Sequence, residues 1–275
     1  MNRVMLGVFR FTPRELRKKR RTTDRLVVDG GLRLRVPCPD EFDFAAVLEF
    51  LEPRTIPGVE SVVDGVYRRV TNTCGYPGVI EVSAAADGSG LELIAHLSSF
   101  TGLLGDVARC RTLFGMDIDI SQAREHLAKD PLLGPLISSQ PGLTVPGAWD
   151  RFETAIRIIL GQQVTVKGAS TLAGRITSKL GVPVPGLDEI GLGFLFPSAQ
   201  RMAEADLTYM GVPRARAHAL QSFARAVVDG SLDLYDAREL PELISHLRQL
   251  PGIGPWTANM LAMRVFGHMD AFPLG

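Results

Sequence analysis

The strand texture of this chain stops at Ser98 and does not return. Before that point Leu32-Arg33-Leu34-Arg35-Val36 alternates with period two and ends at Pro37, the signature of a half-buried strand. Residues 59–71, 78–84 and 91–97 read as further strands, with Asp87-Gly88-Ser89-Gly90 as the turn between the last two. Among them, residues 43–51 carry Phe44, Val47, Leu48 and Leu51 at helical spacing, and Pro53 ends that helix. After Ser98, apolar residues recur at i, i+3 and i+4 over 103–114, 121–128, 149–160, 164–180, 198–205, 213–228, 240–247 and 256–266, separated by Gly and Pro. The order predicts an α+β N-terminal domain with an antiparallel sheet, followed by an all-α domain. We place the boundaries at 1–26, 27–112 and 113–275; 275 residues suit two or three compact units.

Hydrophobic residues make up 45% and charged residues 22%, which excludes wholesale disorder and coiled coil. Thirty Lys+Arg balance thirty Asp+Glu, so any nucleic-acid affinity has to come from local clustering. No run reaches the length of a membrane span and the N-terminus lacks the apolar core of a signal peptide, so the expectation is a cytoplasmic protein with no membrane partner. Cys38, Cys74 and Cys110 are odd in number, far apart and without CxxC spacing, and read as reduced thiols rather than a zinc site.

The most basic stretch is Arg14 to Arg21, where Arg14, Arg17, Lys18, Lys19, Arg20 and Arg21 are opposed only by Glu15. It reads equally as a solvated tail or a nucleic-acid contact. Thr12 stands at an N-cap and Pro13 at the first helical position, and the segment resembles the last helix of an AraC-type helix-turn-helix domain.

The most informative stretch is Leu250-Pro251-Gly252-Ile253-Gly254-Pro255-Trp256-Thr257-Ala258, preceded by a helical segment. Two helices joined by a tight glycine hairpin leave the first amides of the second helix pointing outward, beside the positive end of its dipole. Gly252 and Gly254 let the backbone turn and clear the approach of an anion. The expected ligand is a DNA phosphate, held in register by neutral amides that cannot read sequence. A plain helix–helix turn is the alternative reading.

Here the sequence resembles the helix-hairpin-helix DNA glycosylase superfamily, and within it the 3-methyladenine DNA glycosylase II (AlkA-type) family. The resemblance spans residues 32–275. It rests on Phe152-Glu153 through Ile158-Ile159-Leu160-Gly161-Gln162-Gln163-Val164-Thr165-Val166, on Phe196-Pro197-Ser198, on Leu207 through Pro213 with Arg216-Ala217, on Leu250 through Arg264, and on Asp270-Ala271-Phe272-Pro273. It implies base excision: an alkylated base of double-stranded DNA is flipped into a pocket and its N-glycosidic bond is hydrolysed, by a monomer that requires no cofactor. A base methylated at N3 or N7 is cationic and a good leaving group, so the site needs a carboxylate for the oxocarbenium-like sugar and π-faces for the base.

By resemblance, Trp256, Phe50 and Met260 fall in the base pocket; Met260 replaces a tyrosine found in well-known members. Gln163 takes the place of the wedge that fills the vacated stack. Gly252, Ile253, Gly254, Thr257 and Gly211 fall on the DNA-binding side. The carbonyls of Arg248, Leu250 and Ile253 lie where the family coordinates a monovalent cation, Na or K. Core packing is the alternative for Phe50, and a loop or N-cap residue the alternative for Gln163. The family's catalytic aspartate would be the residue after Gly275, so no catalytic residue is assigned; Asp270 is displaced by a few residues and reads as structural. Residues 256–266 hold no lysine, so lyase chemistry is not expected. The ends suggest a fragment of a fused regulator–glycosylase, and the alternative function is a non-catalytic DNA-binding fragment.

Overall fold

The computed structural model describes residues 31–88 and 90–274; the basic stretch expected at 1–26 lies outside them. They form two compact units. The first takes residues 31–55, Glu60–Pro146 and Val184–Gly193; the second takes Ile56–Val59, Gly147–Pro183 and the chain from Phe194 onward. The changeover at 146–147 falls later than the boundary drawn after residue 112, because the segment between them ties back to the first unit. Arg124 pairs with Glu41 at 2.6 Å, and Asp117 pairs with Arg111 at 2.6 Å.

The first unit is built on a five-stranded sheet of β1 (Leu32–Val36), β2 (Glu60–Val63), β3 (Val66–Thr73), β4 (Tyr76–Ala84) and β5 (Leu91–Leu97), ordered β1-β5-β4-β3-β2 and antiparallel throughout. The alternation read in β1 is the burial pattern observed: Leu32, Leu34 and Val36 are buried, while Arg33 and Arg35 are exposed. Residues 59–71, expected as one strand, are divided between β2 and β3. Asp64 and Gly65 have φ of 52° and 72°, the two left-handed residues of a tight hairpin turn.

Helix α1 (Phe44–Leu51) is capped by Asp43, whose carboxylate accepts from the Ala46 amide at 2.9 Å, and it turns Phe44, Val47, Leu48 and Leu51 inward. Helix α2 (Leu103–Leu113) ends in Phe114, which meets the rings of Phe44 and Tyr67 edge-on at 5.2 and 5.6 Å. Under these rings the sheet buries a charge pair. Arg69 donates to Glu60 at 3.0 Å, and the Tyr67 hydroxyl donates to the same carboxylate at 2.5 Å. Asp106 of α2, buried, accepts from the hydroxyls of Thr71 and Thr73. Helices α3 (Ser121–Leu127) and α4 (Leu133–Ser139) follow; α4 was not anticipated, since Gly134 and Pro135 stand in its first turn.

The second unit is helical: α5 (Arg151–Leu160), α6 (Val166–Leu180), α7 (Ala199–Glu204), α8 (Arg214–Val228), α9 (Leu240–Leu247) and α10 (Pro255–Leu261), the last continuing into a π-helical turn at Ala262–Phe266. The side chains of Asp150, Thr165 and Ser198 cap α5, α6 and α7. Ile156, Ile159, Leu160, Leu220, Phe223, Leu243, Leu247 and Leu261 are fully buried in one core, which Ile56 and Val59 also enter. Burying each such side chain is worth about 1.5–3 kcal/mol. The half after Ser98 is not wholly helical as expected: β6 (Val182–Pro183) and β7 (Phe194–Leu195) pair for two residues. Among the described residues no helix is long and apolar enough to cross a membrane.

Candidate nucleic-acid interface

Helices α9 and α10 are joined by the chain from Arg248 to Gly254. Leu250, Pro251, Gly252 and Ile253 form a tight turn in which the Ile253 amide donates to the Leu250 carbonyl at 3.2 Å. Proline second and a glycine of φ +77° third are what a type II turn demands. A Cβ on Gly252 would stand 2.6 Å from the Cβ of Ala219, so the turn is pressed against α8. Gly254 differs: its backbone is extended, at φ −83° and ψ 178°, and a Cβ there would meet nothing within 4 Å. Gly252 and Gly254 are both exposed, whereas the Ile253 side chain is buried.

This geometry sorts the amides. Among the described residues, those of Gly252, Gly254, Trp256 and Thr257 meet no acceptor, and Ala258 is the first in α10 to bond, to Gly254 at 2.9 Å. Four backbone donors are therefore left unpaired around the start of α10, three of them on the exposed residues Gly252, Gly254 and Trp256 and one on the buried Thr257. Ile253, expected among the DNA-facing amides, is corrected: its N–H is committed inward to the turn. Trp256 is the second residue of α10 rather than the first, because Pro255 takes the first position, where no donor is lost. As a residue Trp256 is 37% exposed, too open for core packing, and Met260 lies half-buried one turn further along.

The loop between α5 and α6 reaches the same hairpin. Gln162 donates from its side-chain nitrogen to the Gly252 carbonyl and to the Thr257 hydroxyl, at 2.9 Å each, and Thr257 is itself buried. Its own carbonyl accepts from Arg216 of α8. The next residue, Gln163, is exposed and left-handed, with φ +52°. That conformation costs a non-glycine residue about 1–2 kcal/mol. The structure thus brings together Gln163, Gly252, Gly254, Trp256, Thr257 and Met260. Gln162 was passed over in the sequence; its partners lie 90 and 95 residues away, and the only local signal was the Gln-Gln pair.

Gly211, with φ +83°, closes a turn after Thr208–Met210, and a Cβ there would stand 2.9 Å from an Arg175 nitrogen. The carbonyls of Arg248 and Ile253 accept no hydrogen bond among the described residues, and that of Leu250 accepts only the Ile253 amide. Three neutral oxygens with unused lone pairs suit a hard monovalent cation. Among the described residues no cluster of three His, Cys, Asp or Glu side chains is placed to hold a metal ion.

Phe50 belongs to the first unit. It is half-buried on α1, lining a cavity of about 60 Å³ with Asp43, Ala46, Val47 and Leu143, among others, while the core of α1 is made by its neighbours. Arg54 stacks over its ring at 3.9 Å and donates to its carbonyl at 2.7 Å. Asp270 is exposed in the segment after the π turn.

A family model described as the AlkA N-terminal domain matches residues 32–150. The "Probable bifunctional transcriptional activator/DNA repair enzyme AlkA" of Mycobacterium tuberculosis is 37% identical over 245 residues, 89% of this chain and 49% of that protein. DNA-3-methyladenine glycosylase 2 of Escherichia coli is 34% identical over 234 residues, 84% of this chain and 80% of that protein. The chain spans about half the length of the mycobacterial relative. Among solved structures, the 3-methyladenine DNA glycosylase of Archaeoglobus fulgidus aligns with TM-score 0.70 at 19% identity, covering 88% of this chain and 81% of that one. The 8-oxoguanine glycosylase/lyase of Clostridium acetobutylicum, in its apo form, gives 0.69 at 16% identity with the same coverage. At such identities the two structures speak for the fold alone.

Proposed function

Because the chain belongs to the DNA-3-methyladenine glycosylase 2 (AlkA) family, we propose that it takes part in base excision repair, rotating an alkylated base out of duplex DNA and hydrolysing its N-glycosidic bond. The observation that carries this reading is the set of four amides, of Gly252, Gly254, Trp256 and Thr257, open at an exposed helix start beside a half-exposed tryptophan. Such amides hold a phosphate at one register on the backbone without reading bases. Gln163, held outward by its left-handed backbone, fills the gap in the stack, and Trp256 with Met260 receives the flipped base. Phe50 is assigned the same base-stacking role on the family resemblance. Its place outside the core of α1 supports that assignment over plain packing.

The carbonyls of Arg248, Leu250 and Ile253 would hold a monovalent cation, whose charge would favour the phosphate held by the amides. No other cofactor enters the reading, and the acting form is a monomer. Hydrolysis asks for a carboxylate beside the sugar. A cationic methylated purine stacks on an aromatic face more strongly than a neutral one, by about 0.5–2 kcal/mol per ring. Selectivity for alkylated bases follows.

The reading is tested by incubating the protein of the full reading frame with alkylated duplex DNA and measuring free 3-methyladenine. Release above the spontaneous rate, lowered at least tenfold by Trp256→Ala, is expected. Release at the spontaneous rate would refute it.

A further inference from the structure

We infer that Gln162 is a positioning residue that locks the phosphate-gripping hairpin and the wedge loop into one unit, so that holding the strand and filling the stack occur together. The inference rests on the DNA-binding reading above and goes beyond it by naming what connects the two parts.

The Gly252 carbonyl can only accept, so the side chain facing it must present its nitrogen, and the orientation of the Gln162 amide is settled by its partner. Both hydrogens of that nitrogen are then used, one on Gly252 and one on Thr257. These acceptors bracket the gripping amides: Gly252 precedes Gly254, and Thr257 follows Trp256. The Gly252–Ile253 peptide is held from both sides, its N–H by Leu250 and its C=O by Gln162. With that plane fixed, the Gly252 and Gly254 amides stay directed outward before any DNA arrives.

The other end of the residue is held as well. Arg216 donates to the Gln162 carbonyl, which belongs to the peptide leading into Gln163. Fixing that plane sets the direction of the Gln163 side chain, whose φ of +52° is not one it would hold unaided. A glutamine with its side chain on the hairpin and its backbone behind the wedge transmits position between them. A strut serving stability alone would not need the wedge residue to be the next one along the chain.

The test uses the 275-residue chain, a duplex containing 2-aminopurine, whose fluorescence rises on unstacking, and Gln162→Met, which keeps length and loses both donors. Measurements are made at a temperature where melting curves show each variant folded. Gln162→Met is expected to weaken duplex binding about tenfold, the factor that corresponds to about 1.4 kcal/mol. The dependence on salt stays the same, because no ionic contact is removed. The fluorescence rise at saturating protein is expected to be lost, and adding Gln163→Ala to Gln162→Met is expected to lower it no further. Thr257→Val, a buried isostere that removes one of the two acceptors, is expected to cost about threefold in affinity and keeps the test open if Gln162→Met does not fold. Variants that bind and unstack like the unmodified chain would overturn the inference while leaving the DNA-binding reading intact. An unmodified chain that neither binds the duplex nor raises the fluorescence would overturn both.

Discussion

Gly252 and Gly254 are two residues apart in one motif, yet the structure gives them separable tasks, and alanine distinguishes them. At 252 the φ of +77° costs an L-residue about 1 kcal/mol, and the added Cβ would press on the Ala219 methyl at 2.6 Å. Overpacking of this kind costs about 1–3 kcal/mol, so Gly252→Ala is expected to lose about 2–4 kcal/mol. At about 2–4 °C per kcal/mol that lowers the melting temperature by about 4–16 °C. At 254 the backbone is extended and the Cβ enters open space, so Gly254→Ala loses only the small preference for glycine at an N-cap, about 0.5 kcal/mol. On the function proposed above, that Cβ would stand in the path of the phosphate, and duplex affinity is expected to fall about tenfold. Calorimetry and fluorescence anisotropy with a labelled duplex, run on both variants, read the two axes. A Gly254→Ala variant that melts and binds like the unmodified protein would show that the hairpin is not the gripping element. A Gly252→Ala variant that melts unchanged would show that the turn is not pressed on α8.

Arg69→Met is expected to destabilise the first unit by about 3–5 kcal/mol in urea titrations, since it takes the guanidinium charge away from the buried Glu60 carboxylate; Glu60→Leu added to it should recover most of that loss. Burial raises the Asp106 pKa above its ordinary 3.8, against the opposing pull of Thr73, Arg109 and Thr71. Asp106 thus takes up its proton more readily folded than unfolded. Stability relative to Asp106→Asn should fall as the pH rises from about 4 through the raised folded-state value and then level off, as followed by unfolding midpoints across pH. Cys74 is exposed and should react with a thiol reagent within seconds, whereas Cys110, buried and with its pKa pushed far up, should react only on unfolding; a fast second thiol at Cys110 would contradict the packing of α2.

What the sequence announced, and what it hid, divides by distance along the chain. Period two in Leu32–Val36 and the spacing of Phe44, Val47, Leu48 and Leu51 are local, and both elements stand where they were read. The Asp64-Gly65 turn is local as well, but it was masked by the β-branched residues on either side, which made two strands read as one. Helix α4 was hidden by Gly134 and Pro135, although a proline in a first helical turn forfeits no hydrogen bond. At the candidate site, the turn of Pro251 and Gly252 was legible because proline and glycine restrict φ wherever they occur. The inward commitment of the Ile253 amide and the hydrogen bonds of Gln162 were not, because each is decided by acceptors that only the fold brings near.

The ring of Phe114 touches Phe44 on α1 and Tyr67 on β3, and the Tyr67 hydroxyl ends on the carboxylate that also holds Arg69. A continuous line of buried contacts therefore runs from the helix carrying Phe50 to a charge pair inside the sheet. Fraying begins where few such ties exist, and α1 has one into the most costly place to expose. It does not open alone: its amides should exchange with solvent on the schedule of the strands beneath it, and Phe50 keeps its place on α1 as long as the sheet lasts.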